Sequence, residues 1–101
     1  TGKNVAKKEM QENFLRVNKE AAEEIARQLR LRNLSGMVLV DFINLTSKSA
    51  EEELLKTFRA ALQKDPVPAQ LIDMTALGLV EVTRKKIKRP LHEIFPDGLG
   101  F

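Results

Sequence analysis

Between residues 6 and 32 apolar side chains return every three or four positions: Met10, Phe14, Val17, Ala21, Ile25 and Leu29. Charged and amide side chains fill most of the gaps. That spacing predicts a long amphipathic helix. Asn18, followed by Lys19-Glu20-Ala21, is a candidate restart after a break near Arg16, because Asn caps helices well. Asn33, Ser35 and Gly36 supply the stop. The pattern then changes. Residues 37–43 read Met-Val-Leu-Val-Asp-Phe-Ile, short, β-branched and apolar at successive positions. This predicts a strand covered on both faces, as in a parallel sheet. A second helix is expected over 50–64, with Ser49 and Glu52 as a capping box and Ala50, Leu54, Phe58, Ala61 and Leu62 as its buried stripe. Asp65-Pro66-Val67-Pro68 stops it. Residues 69–74 predict a second strand, parallel to the first across the helical crossover.

Residues 75–88 carry two readings. Gly78-Leu79-Val80-Glu81-Val82-Thr83 alternates like a strand, whereas Leu77, Val80, Arg84 and Ile87 fit a helix capped by Thr75. The helix is favoured, because its basic side is then solvated. Pro90 ends either element. The fold class expected is therefore α/β: a layered helix-strand-helix-strand subdomain with a parallel-type crossover over residues 1–95, followed by a flexible tail at 96–101.

Composition narrows the class. A chain of 101 residues, 43% apolar and 31% charged, makes one domain and is neither disordered, fibrous nor membrane-embedded. The net charge of +3 is not that of a histone-like protein. Absence of Cys excludes disulfides, thiolate chemistry and Cys-bound zinc. His92 is the single His, so any metal would be held by oxygen ligands, which suits Mg²⁺ or Mn²⁺. No apolar run reaches the ~20 residues of a spanning helix, and the N-terminus lacks a signal-peptide core. A cytoplasmic location fits. The start at Thr1-Gly2-Lys3, without Met, points to processing or to a piece of a longer protein.

Asp41 is the one charge in the first predicted strand. A carboxylate buried there is costly unless paired. It is either a metal ligand near the carboxyl end of a sheet strand or a carboxylate satisfied by backbone N–H groups or an Arg. Asp73 ends the next predicted strand, as a second ligand or, by preference, a turn residue. Arg84, Lys85, Lys86, Lys88 and Arg89 put five cations in six positions, and Arg27, Arg30 and Arg32 form a second group. Such clusters neutralise phosphates or serve as solvated faces and helix C-terminal charges. No Gly-rich phosphate loop is present; Gly98-Leu99-Gly100 is too short and too terminal.

The stretch Asn18 to Ile43, with Ala-Arg-Gln-Leu-Arg-Leu-Arg ahead of an apolar strand ending Asp-Phe-Ile, closely resembles the catalytic region of the ribonuclease E/G family. Residues 75–86 resemble that family's Gly-Leu-x-Glu-x-(Ser/Thr)-Arg segment, and the likeness covers essentially residues 1–90. The resemblance implies part of a DNase I-like catalytic region. It implies an endonuclease specific for single-stranded RNA that matures ribosomal RNA and starts messenger RNA decay. Family members prefer 5′-monophosphorylated ends, and cleavage leaves a 5′-phosphate. Their metal is held by two Asp residues helped by an Asn. Asp41 corresponds to one Asp. The other Asp and the Asn belong to an Asp-x-Asn motif that would immediately precede Thr1, so the isolated fragment is expected to be inactive. The resemblance also assigns RNA contact to Lys3, and RNA or inter-element contact to Arg84 and Lys85.

Family members are homo-oligomers. Their zinc-linking Cys pair would lie beyond residue 101, and their oligonucleotide-binding and 5′-sensing regions before residue 1. Three departures stand out: Asn44 where many relatives have Asp, and Ala76-Leu77 in place of a common Arg-Phe pair, which removes a cation and a base-stacking ring. The alternatives to an endonuclease subdomain are a non-catalytic RNA-binding module and a structural interaction domain.

Overall fold

A computed structural model describes residues 2–75 and 78–87. The expected tail, His92, Lys88, Arg89, Pro90 and the Ala76-Leu77 pair lie outside those residues. The element order is α1 (Gly2–Leu31), β1 (Gly36–Val40), α2 (Lys48–Leu62), β2 (Ala69–Met74) and β3 (Val80–Arg84).

Helix α1 is continuous through Arg16, so Asn18 is not a cap. Its buried positions are Asn18, Ala22, Ala26 and Leu29, while Met10 and Val17 are exposed. The buried stripe is thus shifted from the one predicted by the largest apolar side chains. Small Ala22 and Ala26 sit where α1 packs along α2, and Asn18 faces the loop after β1. The helix stops as expected. Asn33 adopts a left-handed φ of 49°, its N–H donates to the Arg30 carbonyl, and the Leu34 N–H donates to the Leu29 carbonyl. This pair of bonds satisfies carbonyls that the helix end leaves open. Helix α2 begins earlier than predicted. Ser47, not Ser49, is its cap and accepts from the Ala50 N–H, so the predicted capping box is replaced by a single serine cap.

The three strands form one antiparallel sheet in the order β1-β3-β2. This corrects two expectations. Residues 80–84 are a strand, not a helix, and β1 and β2 do not pair. They run in the same direction, but β3 is inserted between them. The turn explains the first point. Gly78 takes a φ of 82°, its N–H donates to the Thr75 carbonyl, and the Thr75 N–H donates to the Leu79 carbonyl. The Thr75 hydroxyl accepts from the Leu79 N–H. Thr75 therefore closes a turn where a helix cap was expected. Once the chain has reversed, Val80, Val82 and Arg84 alternate onto the covered face. β2 carries an irregularity between Leu71 and Asp73 that leaves Ile72 exposed.

The core lies between the helices and one face of the sheet. Ala22, Ala26 and Leu29 meet Leu54, Phe58, Ala61 and Leu62 over Val40, Val80 and Val82. Phe58 is fully buried and meets Phe42 edge-to-face, with ring centroids 5.6 Å apart. The opposite sheet face is open: Met37 is 65% and Leu39 54% exposed. β1 is thus covered on one side only, not on both. Among the described residues no helix is long and apolar enough to cross a membrane.

Candidate functional site

Strand β1 ends at Val40, and Asp41 is the first residue beyond it. Its side chain is exposed, so the desolvation cost expected of a carboxylate inside a strand does not arise. Among the described residues no hydrogen bond or ion pair engages that carboxylate. The backbone after it is anchored at Phe42, Ile43, Leu45 and Thr46. Phe42 packs on Phe58 of α2. The Asn18 amide donates to the Ile43 carbonyl at 2.8 Å and accepts from the Ile43 N–H at 2.9 Å. Leu45 is buried, and the Thr46 N–H donates to Oε1 of Gln11 at 3.0 Å. Asn18 and Gln11 are seven residues apart on α1, two helical turns, and so share one face.

The other sequence-predicted residues do not gather around Asp41. The Val40↔Val80 and Gly36↔Arg84 pairs put β3's last residues at the opposite end of the sheet. At ~3.3 Å per strand residue, Lys85 lies about 20 Å along the strands from Asp41. Lys3 is fifteen helical residues before Asn18, about 22 Å along α1. Asp73 pairs with Glu81, two strands across from β1, and its carboxylate accepts the Met74 N–H at 2.7 Å. Strand spacings put it about 12 Å from Asp41, too far to share one ion. No group of three His, Cys, Asp or Glu side chains among the described residues could hold a metal. The cleft beside the Asp41 loop, lined by Phe42, Asn44, Glu51 and Met74, holds about 40 Å³, far below an ordinary ligand pocket. A larger groove of about 320 Å³ lies on α1 between Glu12 and Glu23, away from Asp41.

Arg84 occupies the inter-element role. Alternation along β3 turns it to the covered face, where its side chain is 2% exposed. Its Nε donates to Oδ2 of Asp65 at 2.7 Å and its Nη2 to Oδ1 at 3.3 Å. Its Nη1 donates to Oδ1 of Asn33 at 2.8 Å and to the Leu34 carbonyl at 2.9 Å. The guanidinium thus joins β3, the end of α1 and the loop after α2. Hydrogen bonding from Arg84 holds the Asp65 carboxyl below its ordinary value, against the opposing effect of burial. Lys85 and Lys86 remain exposed at this end. Three residues with work to do were missed as such by sequence reasoning: Asn18, Gln11 and Asp65. Asn18's signal was a polar side chain one helical turn before Ala22, on the buried stripe. Asp65 looked like a helix stop, and nothing local marked Gln11.

Residues 1–87 match the model of the Ribonuclease E/G family. The chain belongs to that family. Ribonuclease E of Nostoc sp. is 46% identical over 86 residues, which cover 85% of this chain and 12% of that protein. Ribonuclease G of Escherichia coli K12 is 37% identical over 94 residues, 93% of this chain and 19% of that protein. A Ribonuclease E/G-like protein of Pyropia yezoensis is 38% identical over 90 residues, 89% of this chain and 18% of that protein. The chain spans less than one fifth of the length of each of these relatives.

Proposed function

We propose that this chain is part of the catalytic region of a metal-dependent endoribonuclease, and that Asp41 is one of its metal ligands. The observation carrying this reading is a carboxylate held at the carboxyl end of a sheet strand, exposed and without a bonded partner among the described residues, on a backbone anchored to both helices. The donor chemistry fits Mg²⁺ or Mn²⁺, which take oxygen ligands. One carboxylate does not complete the set. The remaining Asp and Asn belong to the Asp-x-Asn motif that family resemblance puts ahead of Thr1. Asp41 with that motif would hold Mg²⁺, which when bound would supply water activation and charge neutralisation at the scissile phosphate.

The rest of the work falls to the chain's own residues. Asp41 serves as a ligand and not as a general base. Lys85, with Lys86, draws the RNA backbone toward this module by charge. Lys3 contacts phosphate near the missing motif. Arg84 holds β3 and the segment carrying these lysines in place. The substrate is single-stranded RNA, in ribosomal RNA maturation and messenger RNA decay, with 5′-phosphate products. The parent is a cytoplasmic homo-oligomer whose DNase I-like region includes this module.

Asp41→Asn in the full-length protein tests the reading: Mg²⁺-dependent cleavage is lost while the thermal transition is unchanged. Undiminished cleavage removes the metal assignment. The 101-residue chain alone cleaves RNA far more slowly than the full protein. Robust Mg²⁺-dependent cleavage by the pure fragment contradicts the divided site. RNA binding that survives chelation, in a full-length protein that never cleaves, favours a non-catalytic module.

A further inference from the structure

Asn18 is buried to 1% exposure in the middle of a helix, where a Leu would fill the same space without a polar group to satisfy. A buried amide is tolerated when its donor and acceptor are both matched. Here both bonds go to one residue, the N–H and the C=O of Ile43. The side chain therefore acts on the loop as a neighbouring strand would, fixing the direction of the peptide units on both sides of Ile43. Ile43 is two residues after Asp41. No bond engages the Asp41 carboxylate among the described residues, so its place there is set by the backbone that carries it.

We infer that Asn18 is a positioning residue for Asp41: by clamping Ile43 to α1 it sets the direction in which Asp41 presents its carboxylate to a divalent cation, with Gln11 steadying the far end of the loop at Thr46. The inference rests on the reading of Asp41 as a metal ligand. Groups that orient metal ligands without touching the metal typically change affinity or activity by about 10–100-fold when removed.

The test uses the full-length protein with Asn18→Ala, Asn18→Asp and Gln11→Ala. Two quantities are read: amide hydrogen exchange over residues 42–46, and the Mg²⁺ concentration for half-maximal cleavage of single-stranded RNA. Asn18→Ala speeds exchange at Ile43, while the amides of α1 and α2 keep their protection. It raises the Mg²⁺ midpoint or lowers kcat by about 10–100-fold. KM for RNA stays unchanged, and excess Mg²⁺ restores part of the rate. Asn18→Asp keeps the acceptor but turns a buried carboxylate oxygen toward the Ile43 carbonyl, so it recovers none of the loss. Gln11→Ala acts in the same direction by a few-fold.

Faster exchange at Ile43 with an unchanged Mg²⁺ midpoint and kcat overturns the inference, and so does unchanged exchange. If Asn18→Ala loses protection throughout both helices, Gln11→Ala decides, and an unaltered midpoint there overturns it. Asp41→Asn separates the two levels. If that variant keeps wild-type cleavage, the ligand reading fails. If it loses cleavage while Asn18→Ala does not, the positioning role alone fails.

Discussion

The two ends of the sheet treat charge in opposite ways. At one end Arg84 and Asp65 are both withdrawn from solvent and saturated with partners, and three segments converge on the guanidinium. At the other end Asp41 stands exposed and, among the described residues, unbonded, while the backbone beyond it is held by Asn18, Gln11 and Phe42. The first arrangement spends a charge on holding elements together. The second spends neutral contacts on keeping a charge available. A buried ion is worth its desolvation only when fully bonded, whereas a ligand to an incoming cation must stay open. Both demands are met within a three-stranded sheet because β1 and β3 run antiparallel. Residues that leave the two strands in the same order along the chain emerge at opposite ends.

The largest expected effect breaks the buried end. Asp65→Asn strands the Arg84 charge and costs about 3–5 kcal/mol of stability by chemical denaturation. Replacing both partners, Arg84→Met with Asp65→Leu, recovers most of that loss. A single-mutant cost near zero contradicts the ion pair as a fastener. Acid sharpens the same point. The Asp65 carboxyl titrates below its unfolded value of ~3.9, so its contribution is complete above about pH 4 and is lost as pH falls through the lower folded value. The stability gap between wild type and Asp65→Asn should therefore narrow below pH 4. A constant gap down to pH 2 argues against it.

Smaller effects probe the surfaces around the two ends. Ser47→Ala removes the α2 cap and lowers stability by about 1 kcal/mol without altering cleavage. Lys85→Glu leaves stability unchanged. It weakens RNA binding similarly across sequences and reduces the salt slope of log affinity by about one. An unaffected slope would mark Lys85 as a solvated charge only.

Much of this was legible in the sequence. Residues 69–74 form a strand over the expected span, α1 stops just before the expected Asn33, and of the expected α2 stripe Leu54, Phe58, Ala61 and Leu62 are buried while Ala50 packs against the core from its edge. What local pattern could not supply was the partner of each strand. Two parallel strands around a helix look adjacent until a third is inserted, and the insertion depends on the Gly78 turn. The exposure of the two key charges came out reversed for the same reason. Asp41 looked buried because its apolar neighbours were assigned to a longer strand covered on both sides. Arg84 looked solvated because it heads a run of cations. The alternation Val80-Val82-Arg84 carries the signal that turns it inward, once the segment is recognised as β.

The contrast between the ends comes to a single comparison in the full-length protein: Asp41→Asn beside Asp65→Asn, each assayed for thermal transition and for Mg²⁺-dependent cleavage of single-stranded RNA. Asp41→Asn is expected to melt with the wild type and not to cleave, while Asp65→Asn melts markedly earlier and still cleaves at temperatures where it is folded. An Asp41→Asn protein that cleaves at the wild-type rate would contradict that expectation.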